Sequence, residues 1–482
     1  MTESIGQQQK IPNFAKSETE RACPGRVGDE VSEGTRGGLK AIECSQGNES
    51  LVEEKLLEAI LSRENLMKAL KRVETNKGAS GIDGQEYHEL RGYLKEHWIG
   101  IKQQIQEGIY RPAPVKAVKI AKPGGGERRL GIPTCLDRFL QQAIYQVIGP
   151  IFDKEFSDSS YGFREGRSQH QAIAKARGYR EEGYRYVVDI DLEKMFDGVN
   201  HDILMVQVVK KIRDKRVLKL IRRYLQAGMI EGGLFAQTRE GVPQGGPLSP
   251  LLSNVMLDVM DKELEKRSHR FCRWADDCNI YVRTQRAGER VMESISRFIE
   301  KKLRLKVNME KSAVGSMSKR QFLGYSFWGK NGLRIAAKSY KRLKEKLRDE
   351  TRSSKSMKLE KRIYLINQLA KGWIQYFRFA DAKKGLEEID HWLRRRLRAV
   401  LWKQWKSCRG RIRALRRLGA RADQAYMMGC AGAGRWHMAK VLNSVVKDEY
   451  FRQMGLRSLM GEYLKLKQHF ESPYARSACT VV

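Results

Sequence analysis

Apolar residues recur at helical spacing at the start and over the last third of the chain, while the stretch between alternates short apolar runs with turn formers. Residues 51–60 predict a helix that the glycine-rich turn at 76–84 breaks. The runs at 115–122 and 128–132 predict a hairpin closed by Pro-Gly-Gly-Gly at 123–126. A strand is expected over 186–192 and a helix over 201–217. A second helix opens at Ser249, a good N-cap, and Pro250, which suits a first turn; Leu252, Val255, Met256, Val259 and Met260 mark its buried face. Residues 271–282 read as a strand hairpin, 286–303 as a helix, and 305–312 and 321–327 as extended pieces. From about 338 the pattern is wholly helical, with Ile363, Ile366, Ala370, Trp373 and Phe377 on one face and Leu386, Ile389, Leu393, Leu397 and Val400 on another. Residues 1–50 offer little apolar surface to offset the entropy of ordering and predict a flexible tail. Mixed strands and helices followed by an all-helical region predict an α+β fold with a separate helical domain.

Charge narrows the choice of partner. Lys and Arg number 92 against 57 Asp and Glu, a net charge of +35, which points to a polyanion and above all to nucleic acid. The eight cysteines include no Cys-x-x-Cys pair, so neither a zinc module nor a disulfide scaffold is expected. The first residues lack the apolar segment of a secretory leader and no run approaches the roughly 18 apolar residues of a spanning helix, so the expected location is soluble and intracellular, with no membrane partner.

Against that basic background two acidic stretches stand out. In Val-Asp-Ile-Asp-Leu at 188–192 strand alternation sends Asp189 and Asp191 to one face, and Asp276 and Asp277 sit together where the 271–282 hairpin turns. Carboxylates converging from distant strands are what two-metal phosphoryl transfer needs, holding Mg²⁺ ions roughly 3.5–4 Å apart, and one of Asp189 and Asp191 can join Asp276. Between these stretches, Gly-Val-Pro-Gln-Gly-Gly-Pro at 241–247 allows close backbone approach before a helix N-terminus, with Gln244 able to donate and accept. Lys122 and Arg128 bracket the glycine turn of the earlier hairpin and suit a triphosphate. Residues 391–420 carry 11 Lys and Arg and no Asp or Glu, with Trp392, Trp402 and Trp405 interleaved.

Taken in order, the acidic strand, the Pro-Gln-Gly-Gly loop and the aromatic-Ala-Asp-Asp hairpin resemble a group II intron-encoded reverse transcriptase with maturase activity. So do Ser-Gly-Ile-Asp-Gly at 80–84, Gly-Ile-Pro at 131–133 with Asp137 and Arg138, Ser-Tyr-Gly-Phe-Arg at 160–164 and Phe-Leu-Gly-Tyr at 322–325. The resemblance covers about 55 to 460. It implies a right-hand polymerase with fingers over 51–185 and palm over 186–335, then a helical thumb or maturase domain over 336–425 and a short basic region over 426–482 with a DNA-binding role. It implies that Asp191 rather than Asp189 joins Asp276 and Asp277 as catalytic metal ligands for two Mg²⁺ ions, because Phe196, five residues on, then gates the nucleotide sugar. Lys122, Arg128 and Gln244 fall on the deoxynucleoside triphosphate, and Lys311 on the pyrophosphate leaving group. Arg394, Arg395, Arg396, Arg398, Lys403 and Lys406 fall on RNA phosphates. Implied partners are group II intron RNA, an RNA template with a DNA primer, and target DNA, in a bacterial, nucleoid-associated setting. Trp274 departs from the family's usual Tyr, and the two cysteines after Ala420 are too few for the zinc-bearing nuclease domain of some relatives. An RNA-binding splicing factor with an idle polymerase site, or a retron-like enzyme, is the rival reading.

Overall fold

The computed structural model describes residues 55–121, 126–329 and 332–471; the expected tail and Lys122 lie outside them. Two compact units emerge. The first comprises the chain up to Ala172, Val188–Tyr281 and Arg286–Val314; the second comprises Ile173–Val187, Val282–Gln285 and everything from Gly315.

In the first unit Ser62 caps α1 (Arg63–Asn76), accepting from the Asn65 amide at 3.4 Å. The expected hairpin forms as β1 (Val115–Ala121) and β2 (Glu127–Ile132), antiparallel with Ile120 opposite Arg128. Helix α2 (Cys135–Asp153) follows, capped by Thr134 and buried along Phe139, Leu140, Ala143, Ile144 and Ile148. Strand β3 (Tyr186–Ile190) stops one residue before Asp191.

The helix expected over 201–217 is two: α3 (His201–Val209) and α4 (Lys215–Gln226). Asp214 splits them, because its carboxylate caps α4 through the Arg216 amide at 2.9 Å and accepts from the Leu57 amide at 3.1 Å. A small hairpin that the apolar pattern did not announce, β4 (Met229–Glu231) and β5 (Leu234–Ala236), completes a sheet of order β2-β1-β4-β5.

Helix α5 (Ser249–Lys266) buries Leu252, Val255, Met256 and Met260 as expected. Ser249 is its first residue rather than its cap, and its hydroxyl donates to the Pro243 carbonyl at 2.6 Å. Strands β6 (Arg270–Trp274) and β7 (Asp277–Val282) form the expected hairpin. After α6 (Gln285–Phe298) and one π-helical turn, β8 (Ala313–Ser316) gives a second sheet of order β6-β7-β3-β8. The segment 305–312 is pinned to the chain after β3 instead of forming a strand, with Leu192 and Val307 as an isolated antiparallel pair.

In the second unit, β9 (Gln321–Phe322), β10 (Tyr325–Trp328) and β11 (Gly332–Ile335) make a meander. The piece expected to run extended over 321–327 breaks at Leu323 and Gly324, with φ of 50° and 80°, a left-handed pair that lets Phe322 face Tyr325. Glycine is needed there: a Cβ on Gly324 would meet the Ser339 hydroxyl at 2.9 Å. This meander clusters with the helices rather than with the residues preceding it, because the Tyr376 hydroxyl donates to the Leu323 carbonyl at 2.8 Å and the Tyr325 and Phe377 rings lie 5.1 Å apart. Helix α7 (Ala337–Glu350) buries Leu343 and Leu347, and α8 (Leu359–Tyr376) and α9 (Lys383–Gln404) bury the apolar stripes read from the sequence, with Trp373 half-buried. The basic helix α10 (Cys408–Arg417) follows, and α11 (Leu459–Glu471) closes the described chain. Among the described residues no helix is long and apolar enough to cross a membrane.

Candidate active site

The β6–β7 hairpin turns through two residues, Ala275 and Asp276, with Trp274 opposite Asp277. Asp276 therefore sits at the tip and Asp277 opens β7. Ala275 has φ of 56°, a place where hairpins prefer glycine, so neighbours must hold the turn. Arg273 does this from within the core. Fully buried, its guanidinium pairs with Asp261 of α5 at 2.5 Å and donates to Asn254 Oδ1 at 2.9 Å, Ser160 Oγ at 2.7 Å and the Ala275 carbonyl at 3.0 Å. The backbone of 159–162 backs the hairpin: Arg273 donates to Ser159 O at 2.8 Å and Tyr161 donates to Arg273 O at 2.9 Å. A Cβ on Gly162 would meet the Ala275 nitrogen at 2.3 Å.

Asp191 is fixed by the 305–312 segment. Its amide donates to Ser312 Oγ at 2.9 Å, its carbonyl accepts from the Asn308 amide at 2.8 Å, and its carboxylate pairs with Lys311 Nζ at 3.2 Å. The Asp277 carboxyl is pushed up to about 7 by desolvation and by the like charges of Asp276, Asp189 and Asp191, with Lys311 opposing. Four carboxylates from two distant stretches thus share one electrostatic environment.

These donors are all carboxylate oxygens, which suits a hard divalent cation such as Mg²⁺, and the repulsion that raises Asp277 is the imbalance such an ion removes. As they stand, no three His, Cys, Asp or Glu among the described residues form a group able to hold an ion. Lys311 provides the positive charge beside Asp191 instead.

The glycine loop before α5 is stitched to its surroundings on both sides. The Val242 amide donates to Phe196 O at 2.7 Å, and Gly241, at φ of 92°, leaves no room for a Cβ, which would meet Asp197 O at 2.8 Å. The Gly131 amide at the end of β2 donates to Gln244 O at 2.7 Å, and a Cβ on Gly245 would meet Gly131 O at 2.5 Å. Half-buried Phe196 and Gln244 both flank this loop, and β2, whose Gly131 bonds Gln244, carries exposed Arg128.

The six cations assigned to RNA divide. Arg395, Lys403 and Lys406 are exposed. Arg398 is buried, donating to Val446 O at 2.8 Å and to Asp448 at 2.9 Å, and Arg394 pairs with the same Asp448 at 3.0 Å. Arg396 donates to Thr351 Oγ1 at 2.6 Å and lies 5.1 and 5.2 Å from the Trp392 and Trp436 rings. These three hold the helical unit together, and Arg398 is withdrawn from any phosphate. The basic run alone could not separate them, because their partners Thr351, Trp436 and Asp448 are far away in sequence. The sequence reading also missed Arg273, although a lone cation inside the apolar strand before the Asp pair was a legible sign of a buried partner.

Residues 120–327 match the reverse transcriptase (RNA-dependent DNA polymerase) family, and residues 340–419 match the group II intron maturase-specific domain. Protein YkfC of Escherichia coli is 33% identical over 305 residues, 55% of this chain and 80% of that protein. The group II intron-encoded protein LtrA of Lactococcus lactis is 35% identical over 231 residues, 48% of this chain and 38% of LtrA. A putative COX1/OXI3 intron 1 protein of Saccharomyces cerevisiae is 30% identical over 219 residues, 45% of this chain and 26% of that protein. The chain thus spans most of YkfC but well under half of the two intron proteins. With both domains present in that order, the chain belongs to the group II intron-type reverse transcriptases, which join an RNA-dependent DNA polymerase domain to a maturase-specific domain.

Proposed function

We propose that this chain is an RNA-directed DNA polymerase that copies group II intron RNA into DNA and binds that RNA to assist its splicing, with fingers over 51–185, palm over 186–335, a thumb or maturase region over 336–425 and a DNA-contacting region beyond. The observation that carries the reading is the electrostatic convergence of Asp189, Asp191 and Asp276 on Asp277 inside the reverse transcriptase match.

In this reading Asp191, Asp276 and Asp277 hold two Mg²⁺ ions. Such ions would supply the lowered pKa of a primer 3′-hydroxyl and the neutralisation of charge on the triphosphate and departing pyrophosphate. The residues do the remaining work. The buried Arg273 network keeps Asp276 and Asp277 in place before any ligand arrives. Lys311 Nζ, 3.2 Å from the Asp191 carboxylate, would pair with the triphosphate and donate its proton to the departing pyrophosphate oxygen. Phe196, tied through its carbonyl to the glycine loop, closes the space a ribose 2′-hydroxyl would need, while Gln244 positions the incoming nucleotide. Arg128, with Lys122, neutralises the triphosphate from the hairpin. Exposed Arg395, Lys403 and Lys406 contact intron RNA phosphates.

The test is primer extension on an RNA template with Mg²⁺ beside a splicing assay with the intron RNA. Asp276→Ala abolishes DNA synthesis and leaves RNA binding and assisted splicing at moderate Mg²⁺ intact. DNA synthesis by the variant at the wild-type rate would overturn the assignment.

A further inference from the structure

The second unit contains a groove that the polymerase reading does not use. It measures about 380 Å³ and is lined by Trp328 and Gly332 of the β10–β11 hairpin, Phe379 and Asp381 in the turn after α8, Lys383 at the start of α9, Lys467 of α11 and Arg177 of the helix Gln169–Glu181. That volume lies within the roughly 300–1,000 Å³ range of small-ligand sites. Its two rings are part-exposed, Trp328 at 46% and Phe379 at 44%.

Three features define what fits. The first is two flat apolar surfaces. The Trp328 indole lies against Gly332, where an added Cβ would meet its Nε1 at 2.6 Å, and the Phe379 ring carries the Arg378 guanidinium 4.9 Å from its centre, so each ring has its other face to offer. The second is positive charge beside those faces: Lys383, Lys467, whose Nζ lies 5.7 Å from the Tyr463 ring, and Arg177, which pairs with Glu181 at 3.2 Å. The 22-residue helix α9 adds to it, because it begins at Lys383 with no side-chain cap and no acid in its first turn, leaving amide donors at that end. The third is one carboxylate, Asp381, whose acceptors suit the amino edge of a base. An aliphatic ligand has no use for cations, and a lone phosphate has no use for rings. A nucleotide uses both.

We propose that this groove binds one unpaired nucleotide of a single strand outside the polymerase site, its base stacked on Trp328 and Phe379 and its phosphate held by Lys383 and Lys467. The inference rests on the reading of the chain as a nucleic-acid enzyme, but it names a site and contacts that the carboxylate cluster does not require. A duplex is excluded by its chemistry, since paired bases are already stacked and cannot present a face to either ring.

The experiment uses the full chain at about 0.3 M salt, where binding through phosphates alone is weakened. Anisotropy is read with a labelled single-stranded oligoribonucleotide, the matching oligodeoxyribonucleotide and an RNA duplex, for wild type and for Trp328→Ala/Phe379→Ala. Loss of both stacking faces weakens single-strand binding about 10- to 100-fold and leaves duplex binding unchanged. Loss with RNA only assigns the groove to template or intron RNA, and equal loss with DNA assigns it to any single strand; either supports the proposal. Because the Trp328 change can disturb the hairpin, the wild-type protein is also irradiated with a 4-thiouridine oligoribonucleotide and the adducts are mapped. Adducts at Trp328 or Phe379 are expected. Unchanged affinity with no adduct at either ring, or a loss confined to the duplex, overturns the site. Primer extension by wild type is run in parallel: its failure would count against the polymerase reading, whereas normal extension with a negative binding result would count against the groove alone.

Discussion

The guanidinium of Arg273 donates to the carbonyl of Ala275 at 3.0 Å while pairing with Asp261 at 2.5 Å, so the residue that precedes Trp274 ties the strained turn to the middle of α5. Both charges are fully buried. Removing one member strands the other in the core, which costs about 3–5 kcal/mol. Arg273→Met is therefore expected to lower unfolding stability by that amount in urea titrations. Arg273→Lys retains the charge but cannot serve four acceptors at once, and it should keep part of the stability while losing most of the polymerase turnover. Wild-type turnover in the Lys variant would show that the turn does not depend on this network.

Gly162 makes the same point by sterics. An added methyl would sit 2.3 Å from the Ala275 nitrogen, a contact that only backbone movement can relieve. Gly162→Ala is expected to depress kcat at least tenfold while RNA affinity, carried elsewhere, stays within twofold. The readout is kcat from primer extension set against a filter-binding Kd; equal loss in both would mean general misfolding instead.

How much of this was legible in the chain depends on how far apart the interacting residues are. The two Asp stretches, the β1–β2 hairpin and the apolar faces of α8 and α9 were legible because each is a local pattern of period two or of helical period. The break at Asp214 was not, since its carboxylate is recruited by the amide of Leu57, 157 residues away. The turn at Leu323 and Gly324 was read as continuous strand because β-favouring neighbours concealed a left-handed pair. Arg394, Arg396 and Arg398 read as RNA-phosphate contacts, and long-range partners engage them within the helical unit instead.

Lys311 offers a sharper division between roles. Its side chain is 67% exposed and its partner Asp191 25%, so the pair adds at most about 1 kcal/mol to stability. As a proton donor to the leaving group it would be worth about 10²- to 10⁴-fold in rate. Lys311→Met should leave the melting temperature almost unchanged and cut single-nucleotide incorporation by that range, with the loss greatest at high pH, where other donors are scarce. An unchanged incorporation rate would reduce Lys311 to a counter-ion.

Asp277 makes the metal-free protein sensitive to pH in a defined direction. Desolvation and the neighbouring carboxylates hold its carboxyl at about 7, above its unfolded value of 3.8, with Lys311 opposing. The folded state therefore keeps this proton to higher pH than the unfolded chain does, and the associated stability, complete below pH 4, is lost as pH rises toward 7. Asp258, pushed up to about 6 by burial and by Asp261, acts in the same direction over a lower window. Without divalent ions, wild type should lose melting temperature relative to Asp277→Asn between pH 4 and 7. Mg²⁺ should stabilise wild type more at pH 8 than at pH 6, because protons compete for the same carboxylate. Parallel melting curves for the two proteins across that range would remove Asp277 from the titration.

The arginines of α9 give the last test, since neighbours only three residues apart are assigned opposite jobs. Arg398 is buried against Val446 and Asp448, whereas Arg395 is exposed. Arg398→Ala leaves a carbonyl and a carboxylate short of a donor and removes the stem that packs near the Phe451 ring, so it should cost about 2–4 kcal/mol of stability. Arg395→Ala should leave stability within about 0.5 kcal/mol. It should instead weaken intron RNA binding and lower the slope of log affinity against log salt by about one. Lys403→Ala and Lys406→Ala should behave like Arg395→Ala. If Arg395→Ala unfolds the helical unit, or Arg398→Ala changes only the salt slope, then burial on this helix does not sort structural cations from RNA-contacting ones.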